Sequence, residues 1–375
     1  MLVPNLRFSE FRDTGEWEKK EVGDVFDVTR GYVLSMNLVK DEWTEEFPYP
    51  VFSSQTKNNG LAGYYSDFLY ENAITWTTDG AHAGDVNYRV GKFYCTNVCG
   101  VLINTDGYAN PFTAALINSV SKSHVSYVGN PKLMNGVMSK IVVPFPTMEE
   151  QQKIADCLSS IDETIAVHTQ KNEALKAHKK GLMQQLFPAE GETIPKLRFP
   201  EFRDAGEWEV KQFDKLFTIG NGKDHKHLPS GDVPVYGSGG YMRSVNDYLY
   251  DGESVCIGRK GTINNPIFLS EKFWTVDTLF YTHSFKGCLP KFIFLIFQNV
   301  NWLKHNEAGG VPSLSKANIE KIKVAVPKSS EQKRIANCLS SLDYLITAKA
   351  QKIESLKTHK KGLIQRLFPA TDEVN

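Results

Sequence analysis

The chain repeats itself, and it does so unevenly. Residues 4–18, PNLRFSEFRDTGEWE, return at 195–209 as PKLRFPEFRDAGEWE, with 12 of 15 positions identical at an offset of 191. Residues 150–189, EQQKIADCLSSIDETIAVHTQKNEALKAHKKGLMQQLFPA, return at 331–370 as EQKRIANCLSSLDYLITAKAQKIESLKTHKKGLIQRLFPA, with 25 of 40 identical at an offset of 181. The stretches between these copies are far less alike. A duplication that keeps its connectors while its globular parts diverge predicts one scaffold presenting two different recognition surfaces.

The 375 residues exceed one ordinary core and fit two domains of about 100–150 residues with connecting elements. The repeat divides the chain into a first module over 1–147, a first helix and linker over 148–194, a second module over 195–327, and a second helix and tail over 328–375. No apolar stretch approaches the ~20 residues needed to span a bilayer. The start, MLVPNLRFSEF, lacks the basic and apolar regions of a secretory signal, so the cytoplasm is the expected compartment and no membrane is involved.

Six cysteines form no CxxC pair, which argues against a zinc ribbon or a redox motif. Cys157 and Cys338, at equivalent repeat positions, read as small buried thiols. Formal charge is zero overall and unevenly spread: −3 for residues 18–147, +4 for 209–328, −1 for 148–188 and +5 for 329–369. Non-specific affinity for nucleic acid comes mainly from Lys and Arg on phosphate. The first half is therefore a poor stand-alone DNA binder, and if it touches DNA a partner is expected to help.

From Ile154, positions spaced alternately by four and three are Ile154, Leu158, Ile161, Ile165, His168, Asn172, Leu175, Lys179, Leu182 and Leu186. The copy reads Ile335, Leu339, Leu342, Ile346, Lys349, Ile353, Leu356, Lys360, Leu363 and Leu367. This 3.5-residue spacing over more than four heptads is a coiled-coil seam, and two such helices in one chain most simply pack on each other. Thr147 with Glu150, and Ser329 with Gln332, are candidate capping boxes, and Pro188 and Pro369 stop the helices. Each helix is then about 40 residues, or roughly 60 Å. The polar seam pairs His168/Lys349 and Lys179/Lys360 either fix register or mark a solvent-facing stretch.

Residues 18–147 and 209–328 are rich in Gly, Pro, aromatic and β-branched residues, with runs such as GKFYCTNVCGVLI (91–103) and FIFLIF (292–297). They read as compact mixed α and β domains. The repeat offset slides from 191 at Trp17/Trp208 to 180 at Phe93/Phe273, which puts an 11-residue excess in the first module, expected within Val33–Pro48.

Signatures of catalysis are weak. GSGG (237–240) is followed by Met242 where a GxGxxG needs glycine, and Gly220–Lys223 lacks the spacing and hydroxyl of a P-loop. His225 and His227 have no accompanying ligand cluster and read as a solvent-facing loop, with no metal expected. Glu18-Lys19-Lys20 and Glu209-Val210-Lys211 imitate half of a nuclease site but sit in the repeated connector. Asn110-Pro111-Phe112 and Asn265-Pro266-Ile267 resemble fragments of the adenine-methyltransferase NPPY tetrapeptide and lack its second proline. A non-catalytic chain is the expectation.

What remains is a set of polar loops in both modules. The candidate DNA-contacting residues are Ser53, Ser54, Gln55, Lys57, Asn58, Asn59, Thr77, Thr78 and His82 in the first. In the second they are Lys223, His225, Lys226, Ser238, Tyr241, Arg243, Arg259, Lys260 and Thr262. Gln and Asn can bond adenine edges, Arg and Lys guanine edges, and hydroxyls and backbone amides phosphates. Surface loops are polar in any case, so the signal lies in the loops as groups.

Two variable modules alternate with two near-identical helices. Each helix ends in HKKGL and LFPA, and each module is entered through LRF, EFRD and GEWE. In these features the whole chain resembles the DNA-specificity subunit of type I restriction–modification systems. The resemblance implies an α+β fold: two mixed α/β target recognition domains separated by two long helices forming an antiparallel coiled coil, with an internal pseudo-two-fold repeat. It implies recognition of a bipartite double-stranded DNA site, one half per domain. It further implies docking of two methyltransferase subunits and of restriction/translocase subunits, in DNA methylation and phage defence. No cofactor is then bound by this chain; S-adenosylmethionine, ATP and Mg belong to the partner subunits. Two other readings stay open at this level: a self-sufficient enzyme, such as a nuclease, and a coiled-coil scaffold that binds protein and no DNA. The recognised bases and the gap between half-sites are not legible.

Overall fold

The structure, a computed structural model, describes residues 2–54 and 58–369. The chain divides into two units, Met1–Thr169 with Gln351–Asn375, and Gln170–Ala350. Each unit holds one module together with parts of the two long helices, Met148–Leu186 and Ser329–Leu367.

The first unit carries a six-stranded sheet in the order Asp27–Arg30, Cys99–Ile103, Tyr70–Thr77, Val86–Cys95, Tyr49–Phe52, Leu61–Tyr65. Neighbours are antiparallel except Tyr49–Phe52 beside Val86–Cys95. Residues of strand Tyr70–Thr77 alternate faces, as the period of two requires. Ile74 and Trp76 pack with Leu102 and the helix Pro111–Ser121, whereas Ala73 packs on the other side with Val101, Phe93 and Cys95. That helix begins where Asn110 accepts a hydrogen bond from the Thr113 amide (2.9 Å) with Pro111 in its first turn, an efficient start. The Asn110-Pro111-Phe112 fragment is thereby a helix cap.

The second unit repeats this order with one break. Ile267–Leu269 and Trp274–Thr275 stand where Val86–Cys95 runs unbroken, leaving a four-stranded and a three-stranded sheet. Ala73 pairs with Arg89 and Ser254 with Leu269; Val51 pairs with Tyr94 and Val235 with Trp274. These registers make Gly91 and Glu271 equivalent. Gly91 has φ +71°, a conformation cheap only for glycine, so the long strand passes its bulge in the first module, whereas in the second it is interrupted over 270–273, around glutamate's position. FIFLIF lies in a helix, Pro290–Asn299, and its Phe292, Ile293, Leu295, Ile296 and Phe297 are buried.

The same registers correct the position of the 11-residue excess. Eighteen residues separate strands Asp27–Arg30 and Tyr49–Phe52 against eleven between Thr218–Asn221 and Val233–Gly237, which places seven residues in segment 31–48. Val51 pairs with Gly63, twelve positions on, whereas Val235 pairs with Arg243, eight on, so the other four lie in the loop after strand Tyr49–Phe52. Both are hairpin or connecting loops, where insertions cost little.

The repeated connectors tie each module to its helices. In the first unit, Arg7 grips Glu150 with two hydrogen bonds (2.8 and 2.7 Å), and the Leu6 amide donates to the Arg366 carbonyl (2.7 Å). In the second, Arg198 grips Glu331 (2.7 and 2.7 Å) and the Leu197 amide donates to Gln185 (2.9 Å). Trp17 packs edge-on against Phe112, and Trp208 against Phe187 and Phe292. The first two strands, Glu18–Glu21 and Glu209–Gln212, pair with Val142–Phe145 and Lys323–Val326, so the ExK triplets lie in two-stranded ladders.

Within the first unit, Ile154 and Leu158 share a core with Leu363 and Leu367, and Lys360 bonds Asp162 at 2.7 Å. Within the second, Leu182 and Leu186 share a core with Ile335 and Leu339, and Lys179 bonds Asp343 at 2.7 Å. The helical segments run antiparallel in both, in one register: the paired lysine and aspartate numbers sum to 522 each time. Thus Lys179 and Lys360 each face an aspartate across the pair.

Two further expectations are corrected. Thr147 caps the Glu150 amide, though at a long 3.4 Å, and the Glu150 carboxylate turns to Arg7. Ser329 lies inside its helix, and Lys328 occupies the place of Thr147; the Lys328 carbonyl takes the first amides while Gln332 bonds the Gly287 and Pro327 carbonyls. No second capping box forms. Cys157 and Cys338 are half-buried, because they flank the seam instead of lying in it. Among the described residues no helix is long and apolar enough to cross a membrane.

Candidate nucleic-acid interface

Three loops of each module are held at matching places by matching backbone hydrogen bonds. The amides of Tyr32 and Lys223 donate to the carbonyls of Cys95 and Thr275. Those of Thr96 and Val276 donate to Phe52 and Tyr236, at 2.9 Å in both cases. Those of Thr78 and Arg259 donate to Val98 and Thr278, and the carbonyls of Thr78 and Arg259 in turn accept from Leu133 and Leu314, at 2.9 Å in both cases. Gly80 and Gly261 close the frame on Pro131 and Pro312. One backbone frame therefore carries Thr78-Asp79-Gly80 in one module and Arg259-Lys260-Gly261 in the other.

In the second module these loops converge. A Cβ on Gly261 would lie 3.3 Å from Ser238 Oγ, so loops 237–242 and 258–262 abut. A cavity of about 760 Å³ has His225, Lys226, Ser238, Tyr241, Met242 and Thr278 in its lining. Lys223, Lys226, Arg259, Lys260 and Thr262 are exposed, and the four cations form no ion pair with a carboxylate among the described residues. Tyr241 is exposed and its hydroxyl meets Ser244 Oγ (3.1 Å), while Arg243 is half-buried with a long bond to the Leu228 carbonyl (3.3 Å). The buried His225 Nδ1 has no hydrogen-bond partner among the described residues, and His227 packs on Trp274. No group of three His, Cys, Asp or Glu side chains able to hold a metal occurs among the described residues.

In the first module the corresponding groups are mostly engaged. Thr78 is fully buried, its hydroxyl against the Val98 carbonyl (2.9 Å) and Asp79 (2.8 Å), so it builds the loop and does not belong to a contact surface. Ser53 Oγ accepts from Thr96 (3.0 Å). His82 bonds Asp85 (2.8 Å), which also pairs with Lys122 (2.7 Å). Burial raises the Asp85 carboxyl, but the hydrogen bonds and charges of Lys122 and His82 outweigh it and hold that group below the usual range. Asn58 and Asn59 are exposed and left-handed, with φ +50° and +52°; Ser54 and Thr77 are half-buried. Gln55 and Lys57, with Thr56 between them, lie outside the described residues. Four carboxylates of the acidic first module, Asp41, Glu42, Glu45 and Glu46, sit in its inserted segment, away from the shared frame in sequence.

The loops of the first module border a cavity of about 230 Å³ whose lining includes Ser53, Asn59, Thr75, His82, Asn87 and Arg89. Arg89, only 9% exposed, donates from Nε to Thr75 Oγ1 (2.9 Å) and from Nη2 to the Asn59 carbonyl (2.8 Å), over the Phe52 ring at 3.7 Å. It pairs with no carboxylate among the described residues. Burial pushes its guanidinium down to about 10, so it remains charged at neutral pH. Sequence reading missed this residue, because its neighbours come from strand register; the available signal was a lone Arg at a position where the other module has Leu269.

The cysteines of both sheets are inert. Burial pushes Cys99 up to about 11 and Cys256 to about 12, and raises Cys95 further, so none supplies a thiolate near neutrality.

This arrangement, two divergent loop sets on one repeated frame, defines a duplicated recognition scaffold. The chain belongs to the type I restriction modification DNA specificity domain family, whose model it matches twice, over residues 14–177 and 205–358. It is 27% identical over 368 residues to a putative type I specificity subunit of Mycoplasma pneumoniae, covering 93% of this chain and 96% of that one. A putative type I specificity subunit N-terminus from the same organism is 40% identical over 143 residues, 37% of this chain and 75% of that one. The fold is similar to the crystal structure of a type I restriction–modification S subunit from M. genitalium, with a TM-score of 0.68 at 18% identity over 99% of this chain and 100% of that one.

Proposed function

We propose that this chain is the non-catalytic DNA-recognition subunit of a type I restriction–modification complex, reading a bipartite double-stranded site with one half assigned to each module. The observation that carries the reading is the shared backbone frame with exchanged side chains, Thr78-Asp79 against Arg259-Lys260. A frame kept while its side chains change is what two readers of different sequences need. Two methyltransferase subunits dock on the repeated helices and connectors, and restriction/translocase subunits join them, in the cytoplasm. S-adenosylmethionine, ATP and Mg are held by those partners.

Methylome sequencing of a host expressing the chain with its methyltransferase partner tests this. The expected result is one motif with N6-methyladenine in two unlike halves separated by unspecified bases; a single contiguous motif, or none, sinks the reading. Exchange of residues 209–327 for a homologous module should alter only one half. The paired helices are proposed to set the gap. In the antiparallel register described above, a heptad inserted after Leu175 is matched by one inserted before Thr347. That lengthens the coil by about 10 Å, so the gap should grow by roughly one to three base pairs at ~3.4 Å each; new half-site bases with an unchanged gap would show that the helices are not the ruler.

A further inference from the structure

We propose that Arg89 is a DNA-contacting donor of the first module, its Nη1 hydrogen-bonding an acceptor of the DNA, a guanine edge or a phosphate oxygen, that enters the cavity above it. This rests on the DNA-reading function proposed above. A buried charge is costly unless paired, and removal of a buried ion in favour of a hydrophobic residue is often neutral or stabilising. The second module makes that replacement: Leu269 stands at the position of Arg89 and Cys256 at that of Thr75, in the same strand register. The fold therefore does not need the guanidinium.

The geometry suits a reader. Thr75 Oγ1 and the Asn59 carbonyl fix two of the three nitrogens, and the Phe52 ring fixes the plane, while Nη1 has no partner among the described residues. A locked guanidinium with a free edge is the arrangement from which arginine discriminates planar acceptors. Asn87 and Asn118 add amide groups to the lining. The placement also complements the loop frame, since the site of Arg259-Lys260 is Thr78-Asp79 in this module; its cation lies inside the cavity instead of on the rim.

The test is Arg89→Leu, the second module's own residue, in the complex with the methyltransferase partner. The folded complex should keep the second half-site unchanged. If the acceptor is a guanine edge, the first half-site loses discrimination at one guanine by about tenfold or more. If it is a phosphate, affinity falls uniformly across sequences and the salt slope drops by about one. Identical motif, affinity and salt slope in wild type and variant overturn the proposal. Should Arg89→Leu fail to assemble, Arg89→Lys keeps the charge and removes the fork: reduced discrimination or affinity supports the contact, and an unchanged motif with unchanged affinity overturns it. A wild-type complex that methylates no two-part motif refutes the function reading instead.

Discussion

The two modules hang the same loops from the same backbone hydrogen bonds, yet they place charge in opposite ways. The second exposes Lys223, Lys226, Arg259 and Lys260 on its rim, whereas the first buries Arg89 under a cavity and has a buried Thr78 and a half-buried Asp79 at the positions of Arg259 and Lys260. Sheet cores diverge with them through compensating exchanges. Trp76 lies over Gly100 in the first module, where a Cβ would fall 2.1 Å from the ring; the matched positions in the second hold Ile257 and Phe280. The connectors do not diverge, because each must meet both a module and two helices, so Arg7–Glu150 and Arg198–Glu331 are built alike. Constraint follows the number of partners a residue must satisfy.

The largest effects should fall where the modules are alike. Glu150→Ala and Glu331→Ala each strand a buried arginine, and each should cost about 3–5 kcal/mol. Denaturant unfolding should give losses equal within about 1 kcal/mol. A large loss in one and none in the other would show that the two connectors, though alike in sequence, are not equivalent in energy.

Next come the compensated cores. Gly100→Ala forces a Cβ into the Trp76 ring and should destabilise by about 1–3 kcal/mol or more. Trp76→Ile with Gly100→Phe transplants the second module's solution and should recover most of that loss. Failure of the pair to recover stability relative to Gly100→Ala would mean that the two sheets are packed by different rules.

The rim exchange separates charge from frame. Arg259→Thr with Lys260→Asp gives the second module the first module's residues on an unchanged backbone. Salt titration of DNA binding by the assembled complex should show a slope reduced by about two and weaker affinity, with the melting temperature unchanged. An unchanged slope would make these cations ordinary surface charges.

Much of this architecture was legible in the sequence. The repeat exposed the helices, the connectors and two unlike modules, because helical periodicity and identity are local signals. The polar loops were legible as groups. Individual residues were not: Thr78 looks like a contact and is buried, whereas Arg89 looks unremarkable within NYRVGKF and lies in the first module's cavity. Both outcomes depend on which strand lies beside which. The second capping box failed for a related reason, since Ser329 imitates a cap one residue beyond the place where the repeat puts Lys328. The strand break at Glu271 was marked only by the loss of one glycine.

The smallest expected difference is acid sensitivity. Asp85, half-buried between Lys122 and His82, has its carboxyl held below the usual range, and the second module carries Asn265 on the matching approach to its strand. A carboxyl depressed on folding contributes stability that is present above its unfolded value and is lost as pH falls through its folded one. Both partners are substantially exposed, so the contribution should stay below about 1 kcal/mol. Thermal melts of wild type and Asp85→Asn from pH 6 downward should therefore differ slightly at the start and converge as the carboxyl protonates. A difference that grows toward acid would mean that Asp85 is strained in its pair instead of held by it.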